Sequence, residues 1–223
     1  MAAAPEKLAA LRHLLAARFP TPPCPAGPFG GFRAGRVLPT GVPALDRTVG
    51  GLPLGAITEI VCAAPSCGSH LLLGQFLTAT RATRTRVALI DSTDSFDPAS
   101  FPGDLLAHLV WVRCATTTTA VNAADLLARD ANLGLIVLDL RRAAAGDLQR
   151  IPSPQWYRLQ RAVESAGLAL VVQTPWAAVP SAQLRLILSA SHDVSALDHE
   201  RPALTAQLAP TLQRQRLPGA ASA

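Results

Sequence analysis

The chain has 223 residues, 49% hydrophobic and 16% charged, enough for one buried core of about 170 to 190 residues with flexible ends. No apolar run approaches the ~18 to 20 residues that cross a bilayer, and nothing near Met1 resembles an export signal, so a membrane-spanning helix is excluded and a soluble, cytoplasmic chain is expected. The net charge of +5 comes from 20 basic residues against 15 acidic ones, and among the basic residues only Lys7 is a lysine.

Residues 6–18, "EKLAALRHLLAAR", place Leu8, Leu11, Leu14 and Leu15 at helical spacing on one face, which predicts an amphipathic helix within residues 1–18. The prolines and glycines of "FPTPPCPAGPFGGF" suit neither a helix nor a central strand, so residues 19–36 read as a linker. The tethered helix docks on its own core or on a partner, and the pattern leaves both open.

From 37 to 196, short apolar runs alternate with longer helical segments, the pattern of an α/β core whose mostly parallel sheet is covered on both faces. Strands are predicted at 56–61, 86–91, 109–113, 133–140 and 168–174, and helices at 70–82, 119–130 and 154–166. In the second helix Leu126 and Leu127 are expected to face inward; in the third, Trp156, Leu159 and Val163 recur at spacings of three and four. Residues 197–223 hold a strand candidate, "LTAQLAPTLQRQR", that completes the sheet or meets a partner, and a disordered tail, "PGAASA".

Cys24, Cys62, Cys67 and Cys114 form no CxxC pair and no zinc-ligand spacing, so free thiols without a metal are expected. Arg81 with Arg84 and Arg86, Arg141 with Arg142, and Arg214 with Arg216 are candidate patches for nucleic acid. Few aromatics are interleaved to stack on bases, and a solvated face is the simpler reading.

The stretch "LPTGVPALDRTVGGLPLGAITEIV" sets Thr40-Gly41, Leu45-Asp46, Gly50-Gly51-Leu52-Pro53 and Gly55 ahead of a strand containing Glu59-Ile60. "RVALIDSTDSFDP" supplies a second strand and turn, "GLIVLDL" a strand with Asp139 near its end, and "LVVQT" a strand with Gln173. In register, these segments and the leading helix resemble the RecA superfamily over most of residues 6–190. Size, proline-rich linker and an altered phosphate loop look most like the ImuA family. The resemblance implies a RecA-like core with a mostly parallel twisted sheet flanked by helices and preceded by an amphipathic helix. It also implies an accessory role in SOS-induced mutagenic translesion DNA synthesis, with RecA and ImuB as partners and an error-prone polymerase of the same assembly engaged indirectly. Asp139 matches the Walker B aspartate, and Gln173 the glutamine that senses nucleotide in RecA.

The phosphate loop falls in "CAAPSCGSHLLL", residues 62–73. Such a loop needs small residues whose backbone N–H groups face phosphate, a lysine, and a Ser or Thr hydroxyl for Mg²⁺. In one register Cys62 and Cys67 replace the two glycines, Gly68 the lysine, and Ser69 keeps the hydroxyl. In the other Gly68 is the second glycine, Ser69 replaces the lysine, and His70 the hydroxyl. Neither register has a lysine, and imidazole is a poor partner for Mg²⁺. The glutamate that orients the attacking water in RecA is matched by Thr93, with Asp94 offset by one residue. Losing both groups implies a non-enzyme without a cofactor, whose degenerate nucleotide pocket comprises Cys62, Cys67, Gly68, Ser69, His70, Asp139 and Gln173. Weak nucleotide binding through backbone N–H groups is compatible with this set. Asp139 reads as a leftover metal ligand or as a strand-end acid hydrogen-bonded to the loop opposite.

The segments matching RecA's two DNA-binding loops are "RRAAAGDLQRIPSP", where Arg141, Arg142 and Arg150 are candidate phosphate contacts, and the short "PWAAVPSAQ", which has no basic residue before Arg185. Direct DNA binding is therefore expected to be weak or absent. Trp176 reads as an exposed partner anchor or as a lid over the sheet. In RecA the N-terminal helix packs on the neighbouring protomer, so Leu8, Leu11, Leu14 and Leu15 are the expected anchor face toward a RecA end. Two other readings stand beside this one: a RecA- or KaiC-type ATPase in which an arginine replaces the lysine, and a SulA-type cell-division inhibitor.

Overall fold

The computed structural model describes residues 36–130 and 132–216. The expected amphipathic helix with Leu8, Leu11, Leu14 and Leu15, most of the expected linker, and the tail lie outside the described residues. A short antiparallel pair, β1 (Val37–Leu38) and β2 (Leu52–Pro53), brackets α1 (Pro43–Val49). There follow β3 (Ala56–Cys62), α2 (Ser69–Ala82), β4 (Val87–Asp91), α3 (Gly103–Leu106), β5 (Leu109–Arg113), α4 (Thr117–Leu127) and β6 (Leu135–Asp139). The chain continues through α5 (Ala145–Gln149), α6 (Ser153–Ala166), β7 (Ala169–Thr174), β8 (Leu184–Leu188), α7 (Arg201–Ala206) and β9 (Thr211–Gln215). Among the described residues, no helix is long and apolar enough to cross a membrane.

Seven strands form one sheet in the order β5-β4-β6-β7-β3-β8-β9, parallel throughout except for the β8–β9 pair. The inner strands β4, β6 and β7 are buried at every position, as a sheet covered on both faces requires. Side chains alternate along each strand, so in-register parallel partners share a face. Ile60, Leu89, Val137, Val171 and Leu186 therefore line one face, where they join Leu72, Phe76 and Leu77 of α2 in the main hydrophobic cluster. The other face carries Glu59, Ala88, Leu138, Val172 and Arg185, with α4 against β4 and β6 and α6 against β3.

The glycine-rich string before β3 proves to be a folding device. Asp46 of α1 reaches back to accept hydrogen bonds from Thr40 Oγ1 at 2.8 Å, Thr40 N at 3.0 Å and Gly41 N at 3.2 Å, closing the turn that starts the helix. Gly51 has φ 122, and a Cβ there would sit 2.6 Å from the Leu38 carbonyl oxygen, so the β1–β2 pair can close only over a glycine.

Two expectations need correction. Leu126 does not face inward; it is 45% exposed, while Leu127 is buried. Neighbours on a helix point about 100° apart, and the buried stripe of α4 runs through Ala120, Val121, Ala124 and Leu127. The helix also starts earlier than expected, because Thr116 and Thr119 form a reciprocal capping box. Beyond the loop at 175–183 lies a strand that the sequence reading did not predict, since β8 pairs with β3 and receives β9 on its outer edge. The C-terminal strand candidate thus completes the sheet.

Candidate functional site

The face covered by α2 ends, at the C-terminal tips of its strands, in Cys62, Asp91, Asp139 and Gln173. In open parallel sheets this is where ligands are held. The loop after β3 runs directly into α2, whose N-cap is Gly68 with φ 82 and no side-chain cap. A left-handed residue favours glycine, so Gly68 serves as the glycine of the loop and Ser69, first in the helix, stands where a phosphate-loop lysine would be. This geometry agrees with the second of the two registers.

Arg141 reaches Ser69 from across the sheet. Its Nε donates to Asp139 Oδ1 at 2.9 Å and its NH2 to Asp139 Oδ2 at 2.5 Å, a bidentate pair with both side chains largely buried. From there NH1 donates to Ser69 Oγ, and NH2 to His70 Nε2 at 3.0 Å. Burial opposes the charge on Arg141, but the Asp139 carboxylate more than offsets it and raises the guanidinium pKa. His70 is shifted the other way, lowered first by burial and then by Arg141, which fits its role as a neutral acceptor. Asp139 also accepts from the Arg141 backbone N–H at 3.0 Å and from Ser95 Oγ at 3.3 Å. It is a strand-end acid tied to the loops beside it. Among the described residues no group of three or more His, Cys, Asp or Glu could hold a metal ion.

The loop itself is stitched to the C-terminal segment. Ala63 N donates to Leu188 O at 3.0 Å, Ser191 Oγ to Pro65 O at 2.7 Å, and His192 N to Ser66 O at 3.1 Å. A Cβ on Gly68 would fall 2.5 Å from Leu208 Cδ2. Within the loop, sharing a hydrogen bond with Cys62 is the largest influence on Cys67; with help from Ser69 and Arg141 it lowers the thiol pKa to about 6 despite burial. Cys62 is raised, first by that same hydrogen bond and then by burial.

After β4, Asp91 organises the turn. It accepts from Thr93 N and Ser95 N at 3.1 Å and from Phe96 N at 2.9 Å; burial would raise its carboxyl, but these donors hold it below the ordinary value. Thr93 Oγ1 is buried without a partner among the described residues. Asp94, at φ 52, turns outward to an exposed pair with Arg113 at 3.7 Å. Gln173 lies in register between Asp139 and Ile60, and its Nε2 is buried with no hydrogen-bond partner among the described residues.

The residues expected at DNA divide. Arg141 is turned into the pocket, which removes it from a patch with Arg142. Arg142 is exposed, and Arg150 is exposed with NH1 3.3 Å from Asp147 Oδ1. Trp176 is half-buried and walls a cleft of about 350 Å³ with Leu148, Ile151, Trp156, Pro180 and Arg185, on the opposite face of the sheet. Glu59 and Arg185, which hold that side together, were missed as a pair by sequence reasoning; the only signal was a glutamate inside an apolar strand.

No family model matches the chain, and no curated protein matches it. Among solved structures the chain is similar to a crystal structure of the RadB recombinase, with a TM-score of 0.54 and 17% identity, covering 68% of this chain and 82% of that one. At this identity the likeness shows the fold, a RecA-like α/β core.

Proposed function

We propose that the chain is a non-catalytic, RecA-like accessory protein of the ImuA type, acting in SOS-induced mutagenic translesion DNA synthesis through protein contacts with RecA and ImuB. The supporting observation is the state of Arg141. At the first turn of α2, where the resemblance puts the phosphate-loop lysine, a guanidinium is already paired with Asp139 and bonded to Ser69 and His70. An incoming triphosphate would have to open that pair, and breaking a buried ion pair typically costs about 3 to 5 kcal/mol. The position matching the water-orienting glutamate is Thr93, which carries no carboxylate.

The test joins two measurements on the full-length chain: phosphate release from ATP, and affinity for RecA and ImuB with and without residues 1–18. We expect no turnover, binding to both partners, and loss of RecA affinity when the N-terminal leucine face is removed. Turnover that Ser69→Ala or Asp139→Asn abolishes, or failure to bind either partner, would overturn the reading. One observation favours a second reading: Arg141 brings a positive charge to Ser69, as a substitute lysine would. Saturable binding of a fluorescent ATP analogue, lost in Arg141→Ala, would select that nucleotide-binding alternative.

A further inference from the structure

Two surface features serve neither the core nor the phosphate loop. The first is a 3₁₀ turn, Val194–Asp198, that follows β8. Val194 is 81% and Leu197 84% exposed, well beyond any other large hydrophobic side chain among the described residues. Residues three apart eclipse one another in a 3₁₀ turn, so these two stand side by side. Exposed Asp193, Asp198 and Glu200 frame them, and none of the three acids is in an ion pair among the described residues. The turn is held in shape. Asp193 Oδ1 accepts from Ser195 N at 3.0 Å, while His192 N donates to Ser66 O at 3.1 Å and Ser191 Oγ to Pro65 O at 2.7 Å, which ties the segment to the α2 side. An exposed apolar pair ordered in advance is a docking element.

The second feature is the cleft of about 350 Å³ on the other face of the sheet, near the lower end of the ~300 to 1,000 Å³ of ligand pockets. Leu148, Ile151, Trp156, Trp176 and Pro180 make its walls apolar, and no carboxylate lines it. Arg185, the one cation in the wall, is already paired with Glu59. The rim is cationic. Arg214, in register with Arg185, donates from NH1 to Pro180 O at 3.3 Å, and the Arg216 backbone N–H donates to Gln183 O at 2.6 Å. Neither arginine is in an ion pair among the described residues. Burial first, then the charges of Arg216 and Arg185, lower the Arg214 pKa, so a carboxylate arriving at the rim relieves crowding of like charge.

We propose that the acidic turn at 193–200 of one copy docks in the Trp176 cleft of a second copy. Val194 and Leu197 enter against the apolar walls, and Asp193, Asp198 and Glu200 meet Arg214 and Arg216 at the rim. Nucleic acid would satisfy the two arginines but leave Val194 and Leu197 bare; a second copy satisfies both surfaces. The two surfaces differ and lie on opposite faces of the sheet, so the contact is head-to-tail and leaves a free turn at one end and a free cleft at the other. Assembly stays open. One turn in one cleft buries less than the ~1,200 Å² of stable interfaces, so association is weak and reversible. The contact uses no residue of the phosphate loop, and its failure would leave the reading of Arg141 standing.

Sedimentation velocity on the full-length chain, from about 5 to about 500 µM, tests this. The average mass should rise with concentration past that of two chains, and fall when NaCl is raised from about 0.05 to about 0.5 M. A turn variant, Val194→Ser with Leu197→Ser, and a rim variant, Arg214→Glu with Arg216→Glu, should each weaken association at least about tenfold. Trp176→Ala, which leaves β9 untouched, should weaken it likewise. An equimolar mixture of turn and rim variants should associate again, because one keeps its cleft and the other its turn, and should stop at two chains. A chain that stays monomeric over the whole range overturns the proposal. So does association that survives both double variants, or a mixture that stays monomeric although each variant melts as the unsubstituted chain does. Binding of a single-stranded oligonucleotide, lost in the rim variant and without self-association, would overturn it by giving the cleft to nucleic acid.

Discussion

His108 shows what a single buried group does to the pH response. Its Nε2 lies 2.9 Å from Thr80 Oγ1, whose own proton goes to the Phe76 carbonyl at 2.6 Å, so the ring donates through Nε2 and keeps Nδ1 bare. That Nδ1 is buried without a partner among the described residues, and a proton placed there would find no acceptor. Burial first, then the charge of Arg81, lower this pKa below 6.5, and His70 is lowered likewise. The folded chain then binds fewer protons than the unfolded one. This stabilisation is whole above about pH 6.5 and is lost as pH falls through the folded values. Thermal denaturation should give a lower melting temperature at about pH 5 than at about pH 7.5, and His108→Gln should narrow the difference. Arg141 is the other residue whose role depends on where its head lies. The sequence reading took it for a phosphate contact of a DNA-binding loop, and neither its pairing with Asp139 nor its reach to Ser69 and His70 was foreseen.

At the scale of elements, the short β7–β8 connection is held by one carboxylate. Glu59, fully buried on β3, accepts from Ala178 N at 2.6 Å, Val179 N at 3.0 Å, Thr174 Oγ1 at 3.0 Å and Arg185 Nε at 2.6 Å. Arg185 returns a bond from NH2 to Val179 O at 2.9 Å. Glu59→Gln keeps the shape but leaves a buried guanidinium unpaired, so urea denaturation should show a loss of about 2 to 4 kcal/mol, with faster proteolysis between 175 and 183. The sequence reading treated Arg185 as the first cation beyond a DNA-binding loop. The structure makes it the partner of Glu59 in register on the neighbouring strand. β8 was missed because Arg185 breaks an otherwise apolar run, and that arginine fits only because Glu59 waits beside it. By contrast, Trp156, Leu159 and Val163 of α6 are all buried as their spacing predicts, since helical period alone places them.

Across the whole molecule the sheet order sets a gradient of protection. β6, β7 and β3 lie inside the sheet, while β9 is an edge with four of its five residues exposed. Hydrogen exchange should be slowest in β3, β6 and β7 and fastest in β9; uniform protection across all seven strands would contradict this packing. The α/β class, five of the seven sheet strands and the three long helices were readable in the chain, because apolar period and capping act over neighbouring residues. The absence of any lysine beyond Lys7 was likewise complete in the composition. The closure of Arg141 over Ser69 spans 72 positions, that of Arg185 on Glu59 126, and that of Ser95 on Asp139 44. Only strand order and register bring such groups together, so the tertiary structure alone decided that Arg141 closes on the first turn of α2.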